Sequence, residues 1–282
     1  MNYILLDLEW NNAYYKKIHG FVNEIVEFGA IKLDDNFNKI DSFNVIVRSA
    51  LTKNLSNRFK ELTGITNETM RDGVDFKTAL ESYKNWAGEN IITLTWSDSD
   101  LYVLYDNCLY FTDSFKNACI GNYADLQKIF HKFLVKMGTP EKNQMSLSNA
   151  AERLKIDINE QSLHHAVDDS FISAMILKKC YNPSDFADFV IDTNEPEFYK
   201  RLRFKAYYIN DINDPNINKS ELYVNCDVCG ARGKRLGKFN FKNKSFSAAF
   251  FCKNCNKQFR GFISFRKFYD RVDVKRKARP IS

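Results

Sequence analysis

Tyr3-Ile4-Leu5-Leu6-Asp7-Leu8-Glu9 decides the fold, because an apolar run passes directly into an alternation of acid, leucine and acid. Such a run predicts a strand buried on both faces. Side chains two residues apart point to the same side of a strand, so Asp7 and Glu9 share one face at its end. Two adjacent carboxylates repel one another unless a cation lies between them, and hard divalent ions such as Mg²⁺ prefer oxygen donors of this kind. An acid pair at a strand end is more often simply solvated, so it gains meaning only from polar groups farther along the chain.

Working outward, Ile25 to Leu33 and Phe43 to Val47 read as neighbouring strands. Leu80, Tyr83 and Trp86 have helical spacing that ends near Gly88. Ile91 to Trp96 is another buried strand, followed by a helix through Leu101 and Leu104. Leu126, Ile129, Phe130 and Phe133 mark a further helix, with two more over Ser148 to Leu154 and Val167 to Cys180. Strands first, then strands alternating with helices, predict an α/β domain: a mixed sheet flanked by helices. Pro183, Pro196 and Pro215 among Asn and Asp residues predict a linker over 182–219, between a domain at 1–181 and a module at 220–282. Phe198, Phe204, Tyr207 and Tyr208 give that linker a means of packing back onto the body.

Two further polar groups come after buried segments. Ser97-Asp98-Ser99-Asp100 precedes a helix, where Ser and Asp are favoured as N-caps, so any of the four has a local explanation. His164-His165-Ala166-Val167-Asp168-Asp169 leads into Phe171, Ala174, Met175 and Leu177 at helical spacing. Acids there favour a helix N-terminus through its dipole, but the histidine pair is not explained that way. An imidazole beside carboxylates is suited to taking a proton from water.

Taken in order, these three groups resemble the DEDDh branch of the DnaQ-like 3′–5′ exonucleases. The resemblance covers about residues 1–181 and rests on Asp7-Leu8-Glu9, on Trp96 through Asp100 and on His164 through Asp169. Asn23 to Ile31 is similar to the family's second strand, and Leu62-Thr63-Gly64-Ile65-Thr66 to its substrate-contact turn. It implies a ribonuclease-H-like fold. It also implies that Asp7, Glu9, Asp100 and Asp169 hold two Mg²⁺ or Mn²⁺ ions about 3.5–4 Å apart. His164 would be the general base, and nucleoside 5′-monophosphates would leave one at a time. Asp100 rather than Asp98 is selected by the Trp-x-x-x-Asp form of the second motif. The family's histidine stands five positions before its last aspartate, which selects His164. Five helical steps of about 100° would point the two side chains roughly 140° apart, so His164 must precede the helix. Pure helical geometry would pair His165 with Asp169, or His164 with Asp168.

The commonest first motif continues with Thr-Gly, where this chain has Trp10-Asn11. Trp10 is suited either to stacking on a base or to a place in the core. With Trp96, it makes the chain more similar to the KapD-like and histone-mRNA exonuclease groups, which favours single-stranded RNA as substrate. Thr63, Gly64 and Ile65 join Trp10 as the substrate-binding expectation. The rival readings are a single-stranded DNA exonuclease in repair and an inactive nucleic-acid-binding adaptor.

The C-terminal part has a different character. Residues 219–282 hold 17 Lys+Arg against 4 Asp+Glu, while residues 1–218 hold 24 against 31. A basic module on an acidic body suggests a polyanion-binding appendage. Cys226, Cys229, Cys252 and Cys255 form C-x₂-C-x₂₂-C-x₂-C, which predicts a β-rich zinc ribbon with one structural Zn²⁺. Cys108, Cys119 and Cys180 lie in apolar surroundings and read as core thiols. Phe239, Phe241, Phe259, Phe262, Phe265, Phe268 and Tyr269 alternate with cations, a pattern that serves base stacking or a small core. Lys275-Arg276-Lys277-Ala278-Arg279 reads as a disordered tail. No run approaches the roughly 18 apolar residues of a membrane span. Met1-Asn2-Tyr3 lacks the features of a signal peptide, so a soluble, cytoplasmic protein is the expectation.

Overall fold

The computed structural model describes residues 1–112, 114, 118, 120–141, 143–157 and 165–281. They divide into two compact units, Met1–Leu202 and Arg203–Ser282.

In the first unit, β1 (Asn2–Tyr15) and β2 (Gly20–Leu33) form a long antiparallel hairpin, and β3 (Lys39–Ile46) pairs antiparallel with β2. On the other side of β1, β4 (Ile91–Thr95) and then β5 (Asn122–Asp125) run parallel to it, and the short β6 (Ile191–Asp192) closes the sheet antiparallel. The order is β3-β2-β1-β4-β5-β6, so β1 is interior, as its unbroken apolar run requires. This is the mixed, helix-flanked sheet of the ribonuclease-H-like class.

Alternation along β1 splits the core in two. Ile4, Leu6 and Leu8 pack with α3 (Phe76–Ala87) and α4 (Ser99–Thr112). Tyr3 and Leu5 pack on the opposite face with α5 (Leu126–Lys136), α6 (Leu147–Arg153) and α7 (Ala166–Cys180). Burying each such Leu or Ile side chain contributes about 1.5–3 kcal/mol, so both sets of helices are held firmly. Of the three expected core thiols, Cys108 and Cys180 are buried in these two cores, and Cys119 lies outside the described residues. Two short helices, α1 (Asn57–Thr63) and α2 (Asn67–Asp72), carry a satellite core of Phe59, Ile65 and Met70 against Val26. Ser56 Oγ and Thr66 Oγ1 cap them by accepting from Phe59 N and Thr69 N at 3.2 and 3.1 Å.

The stretch expected as a linker over 182–219 is divided by the structure. It contains α8 (Pro183–Phe189), β6 and α9 (Pro196–Arg203), and Phe186 and Phe198 are buried in the two cores of the first unit. Asn182 Oδ1 accepts from Asp185 N, with Pro183 in the first turn. Pro183 therefore marks a helix start, whereas Pro215 lies in a turn of the second unit.

The second unit is a β-sheet. Its path is β12 (Val272–Pro280), β11 (Lys257–Lys267), β10 (Ser245–Cys252) and β8 (Lys234–Arg235). Off that path, β7 (Tyr207–Tyr208) pairs with β11 and β9 (Asn240–Lys242) with β10. Ile209, Ile217, Val224, Phe246, Phe250, Phe259, Ile263 and Phe265 form its core. The basic tail is not disordered: Lys275 to Arg279 lie in β12, paired from Lys275↔Ser264 to Arg279↔Arg260. Val272, Val274 and Ala278 pack against the core and anchor the strand despite its charge. Among the described residues, no helix is long and apolar enough to cross a membrane.

Candidate active site and metal centres

Asp7 and Glu9 continue the row begun by Tyr3 and Leu5, on the face of the sheet that receives α7. Asp169, in the first turn of α7, meets them there. Carboxylate oxygens of Asp7, Glu9 and Asp169 all lie within 4.8 Å of one another. Asp100, in the first turn of α4, is 5% exposed and accepts from Leu8 N at 3.0 Å, between the two acids of β1. Asp98 is exposed, and its carbonyl accepts from Tyr102 N at the start of the same helix. Asp100 is thus buried against β1, whereas Asp98 faces solvent.

Several residues to which the sequence gives no site role hold this arrangement. The register shifts between Glu9 and Trp10, so that Glu9 pairs with Glu27 and Trp10 with Ile25. This β-bulge beside the acids frees backbone groups from the ladder. Asn107, 1% exposed on α4, meets them: it accepts from Ile25 N at 3.0 Å and donates to Asn23 O at 2.7 Å. At the end of β4, Ser97 has φ +96°, and its carbonyl accepts from Thr95 Oγ1 and from Tyr123 OH, the latter at 3.1 Å. This held turn delivers the chain into α4 and so sets Asp100.

The seat of α7 is built by β2. Glu27 Oε2 accepts from Ala166 N at 3.3 Å, and Gly29 O accepts from Ser170 Oγ at 3.0 Å. A Cβ at Gly29 would stand 2.1 Å from the Ala166 carbonyl carbon and 2.2 Å from Val167 N. Only glycine allows the helix to come this close. Glu27 and Gly29 are two residues apart on one strand face, and that spacing was the available sequence signal.

Burial and mutual repulsion govern the charges. Burial raises the Asp7 carboxyl well above the usual range, with Asp100, Asp169, Glu9 and Glu27 adding to the effect. Glu9 is pushed up to about 8 by burial and then by Asp169, Glu27 and Asp100. Asp100 is pushed to about 7 by burial, with the Leu8 N–H opposing the rise. Burial also raises Glu27, against the Ala166 N–H and the neighbouring His165. Carboxylates crowded in this way are a poor arrangement by themselves and a fitting donor set for hard divalent cations.

Of the histidines, His164 lies outside the described residues. His165 is the N-cap residue of α7, its carbonyl accepting from Asp168 N and Asp169 N at 2.9 and 3.0 Å. Its ring faces the turn after α1, where a Cβ on Gly64 would meet His165 Cε1 at 3.7 Å. Gly64 has φ +69° and is exposed, whereas Thr63 and Ile65 are buried. Thr63 Oγ1 donates to Phe59 O at 2.9 Å, and Ile65 joins the satellite core. The open surface of this turn is thus the Gly64 backbone and the 47%-exposed Leu62. Trp10 is half-buried and packs against the core beside α3 and α4.

The four cysteines of the second unit converge, with one sulfur from each within 4.8 Å of all the others. Cys226 Sγ and Cys255 Sγ are 3.9 Å apart, and Cys229 Sγ and Cys252 Sγ 3.4 Å. Tetrahedral Zn²⁺ with Zn–S of about 2.3 Å sets its sulfurs about 3.8 Å apart, so the cage suits that ion. Contact with Cys229, then partial burial, pushes the Cys255 thiol up to about 12.

The RNase_T family, described as Exonuclease, matches residues 17–177, more than half of the chain. The chain belongs to the RNase_T exonuclease family. The match begins after Asp7 and Glu9, so the place of these two acids rests on the geometry above. "ERI1 exoribonuclease 2" of Homo sapiens is 26% identical over 235 residues, covering 74% of this chain and 32% of the human protein. "Probable 3'-5' exonuclease KapD" of Bacillus subtilis (strain 168) is 26% identical over 160 residues, covering 56% of this chain and 73% of KapD. The chain thus spans about a third of its human relative. Among solved structures, the nuclease domain of 3'hExo, described as a DEDDh family member bound to rAMP, aligns with a TM-score of 0.53 at 22% identity. That alignment covers 63% of this chain and 90% of the domain, and it shows the shared fold of this RNase_T member.

Proposed function

We propose that this protein is a metal-dependent exonuclease that removes nucleoside 5′-monophosphates from the 3′ end of single-stranded RNA. The observation that carries the proposal is the meeting of Asp7, Glu9 and Asp169, with Asp100 bonded to the strand between the first two. The acids come from β1, α4 and α7, elements far apart in sequence. Family membership supports the reaction class, and two relatives named for RNA or bound to rAMP favour RNA.

Each group has a defined task. Asp7, Glu9, Asp100 and Asp169 would hold two Mg²⁺ or Mn²⁺ ions, which supply an activated water and stabilise the departing 3′ oxygen. The leaving strand end is oriented by the exposed Gly64 backbone and Leu62, with Trp10 at the rim of the first motif. His164 is assigned as general base, and His165 stands beside Gly64 and Glu27. In the second unit the cysteine cage would hold Zn²⁺ as a structural ion.

Matched 5′-labelled RNA and DNA single strands, incubated with Mn²⁺ and read as ladders over time, test this reading. A ladder shortening one nucleotide at a time from the 3′ end, faster on RNA and absent in Asp7→Asn, is expected. An intact RNA under these conditions, or equal activity in Asp7→Asn, would overturn it. Faster loss of DNA would transfer the substrate to the repair reading.

A further inference from the structure

Strand register in the second unit sorts its aromatic and basic residues onto two faces. Phe259, Ile263 and Phe265 of β11 point into the core, so Arg260, Phe262 and Ser264 point to the opposite side. On that side Arg260 stands opposite Arg279, Phe262 opposite Lys277 and Ser264 opposite Lys275. Phe251 of β10, half-buried, lies on the same face. The result is four exposed cations around two aromatic rings, with no acid at these paired positions.

Among the described residues these cations have few partners. None of Arg260, Lys275, Lys277 and Arg279 forms an ion pair with a described residue, and the one ring contact is Arg279 over Phe262 at 5.5 Å. Like charges directly opposed across a ladder destabilise it, so Arg260 and Arg279 are held together at a cost. A polyanion laid along the face removes that cost. Phosphates satisfy the cations, and an unpaired base has a free face for Phe262, which a duplex does not offer.

We propose that this face is a second nucleic-acid site that holds single-stranded RNA, through phosphates on Arg260, Lys275, Lys277 and Arg279 and a base on Phe262. The choice of RNA rests on the function proposed above, whereas the site itself does not depend on catalysis.

The test is fluorescence anisotropy with a 5′-fluorescein U20 RNA and full-length, zinc-replete protein carrying Asp7→Asn to prevent cleavage. Adding Lys275→Ser, Lys277→Ser and Arg279→Ser together is expected to weaken binding at least about tenfold. The slope of log affinity against log salt should fall by about 2, at about 0.7 per lost phosphate contact. Phe262→Leu is expected to weaken binding by about fivefold or more and to leave the salt slope unchanged. Zinc content and circular dichroism establish that each variant is folded. Unchanged affinity in the triple variant would overturn the proposal. So would wild-type-face binding of duplex RNA or poly-glutamate as tight as that of U20, which would make the surface a general acidic-partner site. Should the wild-type chain bind RNA through this face and fail to cut it, only the catalytic reading fails.

Discussion

Glu27 accepts a hydrogen bond from Ala166 N at 3.3 Å, and this bond ties the strand beside the acids to the helix that delivers Asp169. Glu27 is 2% exposed and sits opposite Glu9 in the ladder, yet it is not among the three acids that converge. Its task is to seat α7. Removing it leaves a buried N–H without its partner, which costs about 1–3 kcal/mol. Glu27→Ala should lower the denaturation midpoint accordingly and weaken Mn²⁺ binding about tenfold or more, as loss of a supporting partner does. Glu27→Gln, which keeps the acceptor, should recover most of both. Equal losses in the two variants would assign Glu27 a different role.

Gly29→Ala tests the same seat by collision. The added methyl would meet Ala166 and Val167 backbone at 2.1 and 2.2 Å, so the helix must move rather than a side chain. We expect a loss of at least about 3 kcal/mol in urea unfolding, beyond ordinary overpacking, together with loss of activity. A variant with wild-type stability and activity would show that α7 is free to shift.

The raised carboxyls predict a pH dependence with a definite sign. Asp7, Glu9 and Asp100 hold protons in the folded state at pH values where the unfolded chain has released them. Their stabilising contribution is full below the unfolded values and is lost as the pH rises through about 7 for Asp100 and about 8 for Glu9. In the absence of Mg²⁺ and Mn²⁺, the first unit should therefore melt at a lower temperature at pH 9 than at pH 6. Added Mn²⁺, which competes with these protons, should raise the melting temperature more at pH 9 than at pH 6. Scanning fluorimetry across this range decides the matter, and a larger Mn²⁺ effect at pH 6 would contradict it.

The cysteine cage predicts close to one zinc per chain by elemental analysis. Cys252→Ser, which removes a fully buried ligand, should lose the metal and the near-ultraviolet signal of the second unit's aromatic core. Retention of stoichiometric zinc by this variant would place the ion elsewhere.

Residue types and short spacings were legible in the sequence because local geometry fixes them. Asp7 and Glu9 share a face by strand period alone, and the two Cys-x-x-Cys pairs announce their cage. What escaped was set by partners distant in the chain. Glu27 looks like any strand glutamate until α7 lies on it, and Asn107 like a polar helix residue until the bulge needs it. Pro183 and Asn182 read as a break because the apolar residue they help to bury, Phe186, meets a core made elsewhere. In the second unit the basic run from Lys275 to Arg279 offers no apolar stripe of its own, and β11 supplies the pairing that orders it.

Catalysis as proposed requires the acids of β1 and α7 to act together on divalent ions. Calorimetric titration of Mn²⁺ into zinc-replete protein at pH 8 tests this most directly, comparing the wild type with Asp7→Asn and Asp169→Asn. We predict saturable binding in the wild type that is weakened at least about tenfold by either substitution. Wild-type Mn²⁺ affinity in both folded variants would contradict a metal centre shared by these acids.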